Sequence, residues 1–322
     1  MLEKILETIK KYDSIVIYGH IYADGDSFGS QVAVQQFIKL NWPKKKVYVT
    51  GAGFKCMYEM LGKPDVVSDE VIRNSLAIAV DFNELYRSED QRIMEAKELI
   101  IIDHHLPGET TFDYTSTYVI NPDILSCCTI LYTLFKQSGL KTNRKLRNAL
   151  FLGITTDTNR FLFLEPDALS FNVAHSLTTE GIDMVDIYKS ISKTSAGILK
   201  IKGYVLSNYQ IYKDKITWCV LPKDIIKTSG FTGYPGYIVN QLANVDSVES
   251  WVLFIQQSDK EMSVEFRSAE KNIRPIAVKY GGGGHKRACG IQKCPMSHKL
   301  IDSIMADLYE HITNYVEPDE ED

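Results

Sequence analysis

The chain has 322 residues, enough for about two domains at roughly 150 residues each. Its 36 Lys+Arg against 41 Asp+Glu leave a formal net charge of −5, which argues against a surface built to grip long nucleic acid by counterion release. Hydrophobic residues at 44% and charged residues at 24% exclude a mainly disordered, collagenous or coiled-coil chain, and no apolar run approaches the ~18 residues that cross a bilayer.

The opening MLEKILETIKKYDS has the spacing of an amphipathic helix with mixed charge, not of a signal peptide, so the chain is read as cytoplasmic. Ser14–Tyr18 (SIVIY) reads as a buried strand and Ser27–Leu40 as a helix. Val47–Thr50, Leu76–Val80 (LAIAV) and Leu99–Ile102 (LIII) are further short apolar runs. Continuous apolar strands separated by helical patterns indicate an open, mostly parallel sheet covered on both faces. Cys127–Gln137, Arg144–Leu152 and Asp167–Thr179 read as helices. A polar-helical stretch from Met184 to about Lys200 is the expected connector. Beyond it, Tyr209–Tyr212, Ile216–Leu221, Trp251–Ile255 and Met262–Phe266 read as strands, with helices at Tyr237–Ala243, Ile273–Tyr280 and Ser297–Tyr315. The expectation is therefore an α/β domain over 1–185, a helical linker over 186–204 and a smaller α+β domain over 205–322, ending in a solvated acidic tail, EPDEED. Six scattered cysteines (Cys56, Cys127, Cys128, Cys219, Cys289 and Cys294) do not suggest a disulfide framework, and Cys289 and Cys294 have no second pair with which to form a zinc site.

The chemistry is concentrated at strand ends. His20, Asp24 and Asp26 follow the first strand in GHIYADGDSFGS, Asp81 follows LAIAV, and Asp103, His104 and His105 follow LIII. In an open parallel sheet the C-terminal strand ends face one crevice, where ligands bind. Asp157, in GITTDTNRF, is expected on the loop after the Arg144–Leu152 helix. Taken singly, Asp24 or Asp26 reads equally well as a helix N-cap, and His20 or His104 as a hydrogen-bonded structural histidine. Together, five Asp and three His at one edge form a like-charge cluster. Two carboxylates ~4 Å apart repel by about 4 kcal/mol at an effective dielectric of 20, and divalent cations are the usual remedy. Many carboxylates with a few imidazoles and no thiolate favour Mn²⁺ over Zn²⁺, with Mg²⁺ or Co²⁺ as substitutes. The donors outnumber the needs of one ion, which points to two ions and to in-line displacement at phosphorus.

At these residues the sequence resembles the DHH phosphoesterase superfamily: HIYADGD, VDFNE, IIDHH and GITTDTNRF match its four motifs in order, and VEFRS with GGGGHKRACG resembles its associated C-terminal domain. The nearest subfamily degrades nanoRNA, dephosphorylates 3′-phosphoadenosine 5′-phosphate (pAp) and includes members that cleave pApA or pGpG. The resemblance implies His20 and Asp24 on a first Mn²⁺, Asp26, His104 and Asp157 on a second, and Asp81 bridging both. It further implies that Asp103 holds the His104 ring, that His105 faces the substrate phosphate or assists proton transfer, and that the protein forms a homodimer. Two positions depart from the family pattern. Ile130 stands where an acid usually closes a Ser/Thr-rich run, and Asn159 replaces a common Gly.

Four glycines, Gly281 to Gly284, followed by His285, Lys286 and Arg287, suit a backbone that approaches an anion and presents N–H groups to it. Arg267 adds a guanidinium fork. Gly282, Gly283, Gly284, His285 and Arg267, with Arg160 from the fourth motif, are the expected substrate-binding residues. Asp103, His105 and His285 are the expected catalytic ones. The expected partner is a short single-stranded RNA or a nucleotide, not a membrane. Rival readings are a family II inorganic pyrophosphatase, whose basic SRKKQ-like motif is absent from the sequence, a RecJ-like single-strand exonuclease, and a catalytically silent nucleotide-binding regulator.

Overall fold

A computed structural model of the chain describes residues 1–106, 112, 115–162 and 168–316; the acidic tail lies outside them. The chain divides into two compact units, Met1–Lys193 and Thr194–Asp322.

The first unit is a five-stranded parallel sheet. Its strands are β1 (Ser14–Tyr18), β2 (Lys46–Val49), β3 (Leu76–Val80), β4 (Glu98–Asp103) and β5 (Thr115–Ile120), in the order β2-β1-β3-β4-β5. Around it lie α1 (Leu2–Lys11), α2 (Gly25–Asn41), the short α3 (Tyr58–Leu61) and α4 (Asp69–Arg73), then α5 (Cys127–Ser138), α6 (Arg144–Asp157), α7 (Ala168–Glu180) and α8 (Met184–Ser192). Strand alternation sends successive side chains to opposite faces. Ile15 and Ile17 of β1 join Ile78, Ile100 and Ile102 in a core with α1, α2, α5 and α6. Val16 and Tyr18 join Ala77, Ala79, Leu99 and Ile101 in a second core with Ile72, Phe82 and Ile93. Each fully buried Ile or Leu contributes about 1.5–3 kcal/mol, so both faces resist exposure. This explains why the strands read as unbroken apolar runs.

The second unit begins with α9 (Ala196–Asn208). Its sheet contains β6 (Gln210–Tyr212), β7 (Ile216–Leu221), β8 (Ser250–Gln256), β9 (Glu261–Ser268), β10 (Gly283–Gly284) and β11 (Ala288–Pro295), in the order β10-β11-β9-β8-β7-β6. The β7–β8 pair is parallel and the other pairs are antiparallel. The unit's other helices are α10 (Lys223–Ser229), α11 (Arg274–Lys279) and α12 (His298–Thr313). Val252 and Phe254 of β8 pack toward α11 and α12, while Leu253 and Ile255 pack toward α9.

Several details differ from the sequence reading. The stretch expected as a connector consists of two helices: Ile187 of α8 is buried in the first unit's core, and Ile198, Ile201 and Val205 of α9 are buried in the second's. The helix expected at Tyr237–Ala243 is a 3₁₀ segment, Gly236–Leu242. β5 and β11 are strands that the sequence reading does not anticipate. No described helix is long and apolar enough to cross a membrane.

Candidate metal centre

Three strand ends and two helix ends converge at the C-terminal edge of the first sheet. His20 follows β1, Asp81 follows β3, Asp103 closes β4, and His104 and His105 come next. Asp24 caps α2, with Oδ1 accepting the N–H groups of Asp26 and Ser27, each at 3.0 Å. The capping and ligand readings of Asp24 are therefore compatible. Asp157 is the last residue of α6, not a loop residue: the helix runs five residues past its expected end. Its carboxylate thus sits at the negative end of a helix dipole, where a cation is favoured.

The side chains form a continuous chain of contacts. His20 Nε2 lies 3.3 Å from Asp81 Oδ2 and 3.8 Å from Asp24 Oδ1. His104 Nε2 lies 3.3 Å from Asp81 Oδ1, 3.2 Å from Asp157 Oδ2 and 3.9 Å from Asp26 Oδ2. Donor atoms of His20, Asp24 and Asp81 lie within 4.8 Å of one another, as do those of Asp26, His104 and Asp157. Asp81 touches both groups, one oxygen toward each. A third grouping, Asp81, Asp103, His104 and His105, overlaps them.

Whether these residues suit metal ions is tested by the imidazoles. His20 Nδ1 meets the Ile21 carbonyl at 2.7 Å, and His104 Nδ1 meets the Ile124 carbonyl at 3.1 Å. A carbonyl only accepts, so each Nδ1 carries the hydrogen. In the neutral ring each Nε2 then turns a lone pair toward carboxylate oxygens. That arrangement is repulsive unless a cation lies between them or the ring takes a second proton. A carbonyl holding the far ring nitrogen is also the usual way in which metal-binding histidines are oriented. Among the described residues, Asp81 Oδ1 is buried without a hydrogen bond, which is costly for a carboxylate oxygen left to itself. The donor set fits divalent cations.

The electrostatics agree. Burial works against a charge on His20, but the contact with Asp81 and the charges of Asp24 and Asp81 carry its pKa up to about 9. His104 is driven in the same direction. Burial and the Asp81 charge push Asp26 up to about 7, and burial and Asp26 push Asp157 well above the carboxylate range. Burial also opposes the charge on Asp81, yet His104 and His20 hold it below that range. Positive charge is what the cluster lacks.

Asp26 is supported in a way the sequence reading missed. Its carboxylate accepts the N–H groups of Cys127 at 2.6 Å and Cys128 at 3.0 Å. These are the first two residues of α5, whose own cap is Ser126. The helix N-terminus thus serves as an anion cradle, and the SCC run supplies backbone donors rather than thiolates. The Cys127 thiol turns to the Ile102 carbonyl at 3.2 Å, and Cys128 Sγ lies 3.2 Å from Ser30 Oγ. Burial, followed by the Asp26 charge, pushes both thiols well above the usual range. Ile130, where an acid was expected, is buried.

The role expected for Asp103 needs correction. The His104 ring is held by the Ile124 carbonyl, not by Asp103. Asp103 Oδ1 instead accepts the His104 N–H and His105 Nδ1, each at 2.8 Å. Its Oδ2 accepts Asn83 Nδ2 at 2.6 Å, and that same amide also reaches the His105 carbonyl at 3.1 Å. Asn83, within VDFNE, carries no role in the sequence reading.

In the second unit the glycine run has a packing role. The N–H groups of Gly281, Gly282 and His285 donate to the carbonyls of Val278, Ala277 and Ala288, and Gly283 and Gly284 pair with Gly290 and Cys289 as β10. The expected nest of N–H groups turned to an anion is not formed at those three positions, because closing the turn and hairpin uses them. A Cβ on Gly282 would overlap the Gly290 carbonyl oxygen. Arg267 Nη1 donates to Glu265 Oε2 at 3.2 Å and to the Phe266 carbonyl at 2.8 Å. Arg160, in the first unit, reaches Ser192 Oγ at 3.3 Å. Asn159 adopts φ +47°, a left-handed conformation that Asn tolerates better than most residues, which accounts for its standing where Gly is common.

The DHH family N-terminal domain matches residues 14–154, and the DHHA1 domain matches residues 234–305. The chain belongs to the DHH phosphoesterase family. It is 31% identical to a probable bifunctional oligoribonuclease and PAP phosphatase NrnA from Streptococcus mutans, over 96% of this chain and 97% of that protein. The bifunctional oligoribonuclease and PAP phosphatase NrnA of Bacillus subtilis is 28% identical over the same shares. Among solved structures, an exopolyphosphatase-related protein from Bacteroides fragilis shares the fold, with a TM-score of 0.86 and 23% identity over 96% of each chain.

Proposed function

We propose that this chain hydrolyses short oligoribonucleotides, including linear dinucleotides such as pApA and pGpG, to mononucleotides, and converts pAp to AMP. The single observation that carries this reading is the unbroken run of contacts from His20 through Asp81 and His104 to Asp157. It is joined by similarity to oligoribonucleases and PAP phosphatases over nearly the whole chain.

His20 and Asp24 would hold one Mn²⁺, Asp26, His104 and Asp157 would hold the other, and Asp81, whose two oxygens face His20 and His104, would serve both. The absence of a thiolate donor supports Mn²⁺ over a softer ion. Such ions would supply Lewis-acid activation of water and charge stabilisation at phosphoryl oxygens. The chain's own residues do the rest. The α5 N-terminus fixes Asp26, and the Ile21 and Ile124 carbonyls fix the two ligand imidazoles. His105, held at Nδ1 by Asp103, delivers a proton from Nε2 to the leaving oxygen. The domain containing Arg267 and His285 binds the substrate's terminal phosphate, with Arg267 exchanging its bond to Glu265 for the phosphate. A cytoplasmic setting suits the six cysteines, all of them free thiols.

The test is release of AMP from pApA and of phosphate from pAp, measured with and without Mn²⁺ and after chelation. Turnover of both that disappears with the metal supports the reading. Release of phosphate from pyrophosphate with no turnover of either nucleotide would replace it with the pyrophosphatase alternative.

A further inference from the structure

We propose that Tyr22 is a stacking platform for a nucleobase of the substrate at the mouth of the metal centre. This rests on the proposed action on short nucleotides and names the part of the substrate that this edge recognises.

Tyr22 lies on the loop between His20 and Asp24, two residues from each. It is 84% exposed, the most exposed aromatic among the described residues. Its backbone is left-handed, with φ +58°, a strained conformation for a bulky residue. Such strain persists only where the surroundings enforce it, and it concentrates at functional sites. Here both flanks are pinned. His20 and Ser88 form an antiparallel bridge, the Ile21 N–H donates to the Arg87 carbonyl at 2.7 Å, and Asp24 caps α2. Among the described residues, the Tyr22 ring has no hydrogen bond, ring contact or cation partner. The loop thus holds an aromatic ring clear of the protein in a fixed position beside the reaction centre.

Tyr86 extends the same feature. Tyr86 lies in the 3₁₀ turn Leu85–Arg87, on the segment whose Arg87 and Ser88 hold Ile21 and His20. Tyr86 is 63% exposed, and its hydroxyl donates to Glu84 Oε2 at 2.8 Å. The two bridged segments thus each carry an exposed tyrosine close in sequence to a proposed ligand, His20 and Asp24 for one and Asp81 for the other.

The chemistry that fits is a flat, sequence-tolerant π-face. The ligand cluster handles phosphate, but its carboxylates present no face on which a base can stack. An exposed aromatic does, because every base has a face to stack, whatever its hydrogen-bonding edge. A platform beside the scissile phosphate would position the nucleotide without contacting the reacting atoms. Tyr22 is accordingly a positioning residue, and its loss acts on binding before it acts on chemistry.

The experiment uses a 5′-phosphorylated dinucleotide carrying 2-aminopurine, whose fluorescence is quenched by stacking, together with an abasic dinucleotide. Wild type, Tyr22→Ala and Tyr22→Phe are compared. Wild type and Tyr22→Phe are expected to quench and bind alike. Tyr22→Ala is expected to bind about 5- to 150-fold more weakly, the span that one base–aromatic stack contributes, with a matching rise in KM, a smaller change in kcat and no change on the abasic substrate. Equal binding by Tyr22→Ala, an equal loss on the abasic substrate, or absence of quenching in wild type overturns the platform. A wild-type chain that quenches and binds without hydrolysing anything removes the proposed activity and leaves the platform standing. Hydrolysis of pApA by Tyr22→Ala with the KM and kcat of wild type does the opposite.

Discussion

Gly153 on α6 faces Asp26 on α2 so closely that no side chain fits between them. A Cβ at residue 153 would overlap Asp26 Oδ1 and Cys128 Sγ. The glycine is the reason a helix can pass over a buried carboxylate that is also gripped by the α5 N-terminus. Gly153→Ala is therefore expected to push Asp26 off the Cys127 and Cys128 N–H groups and away from His104. Overpacking of this kind costs about 1–3 kcal/mol, so the variant folds with a lowered midpoint. Mn²⁺ titration calorimetry should show at least one site weakened, and hydrolysis of pApA should fall at least tenfold. Unchanged metal binding and turnover would mean that the two helices separate freely, and that Asp26 does not depend on this contact.

Asp81 combines two properties that substitution can separate. It is the carboxylate between His20 and His104, and its φ is +66°, a conformation costing about 1–3 kcal/mol for a non-glycine residue. Its N–H bonds to the Ile102 carbonyl at 3.0 Å, which anchors the strained turn to β4. Asp81→Ala keeps the strain and loses the carboxylate, whereas Asp81→Gly loses both. Both variants, and His104→Ala, are expected to be inactive and folded. The glycine variant should be more stable than the alanine variant by about 1 kcal/mol in denaturant titrations. Turnover near wild type in any of the three with Mn²⁺ present contradicts the proposed metal centre.

How much of this is visible in the sequence depends on how local its cause is. The convergence of His20, Asp81 and His104 follows from strand direction alone: parallel strands end on one edge, so residues just after SIVIY, LAIAV and LIII must meet there. The α/β class follows from the same apolar runs. What escapes is decided by contacts between distant segments. The Asp103 carboxylate serves the His105 ring and not the His104 ring because β4 ends with His104 turned toward Ile124, 20 residues away. The backbone donors of Cys127 and Cys128 carry no side-chain signature. The glycine run looks like an anion loop until β11 is recognised as its partner, and ACGIQKCP, with its Gly and polar residues, hides that strand. β5, TSTYVI, is an edge strand with weak apolar character, and it hides for the same reason.

The second unit carries an acid-sensitive link. Glu249 precedes β8 and pairs with Lys215 and with Lys271, whose ammonium also reaches the Ile312 carbonyl near the end of α12. Burial raises the Glu249 pKa, but the bonds from Lys215 and Lys271 outweigh it and hold the group below the ordinary carboxylate range. A folded-state pKa below the unfolded value gives stability that is present above the unfolded pKa, about 4.3 for Glu, and is lost as pH falls through the folded value. Glu249→Gln lacks that contribution at every pH. The stability gap between wild type and Glu249→Gln is therefore expected to be widest near neutrality and to close below about pH 4. Denaturant melts followed through Trp218 and Trp251 report on this unit. A gap that stays constant from pH 7 to pH 3 would assign the effect to packing, not charge.

Asn83 is buried and spends its amide on two acceptors, Asp103 Oδ2 and the His105 carbonyl. It thereby fixes the carboxylate that orients the His105 ring and the backbone that carries it, without reaching any of the six proposed metal ligands. Removing such an outer support typically costs 10- to 100-fold in activity or metal affinity, and here the geometry directs the loss toward activity. Asn83→Ala is expected to lower kcat on pApA by about that factor while KM and the two-site Mn²⁺ titration stay close to wild type. Asn83→Asp should be worse, because it sets a second carboxylate against Asp103 in a buried site. Asp103→Asn provides the cross-check. If Asn83 acts through Asp103, the double variant Asn83→Ala/Asp103→Asn loses less than the product of the two single losses. A fully multiplicative loss, or a Mn²⁺ titration that collapses in Asn83→Ala, would show that the amide supports the metal-binding loop rather than the His105 ring.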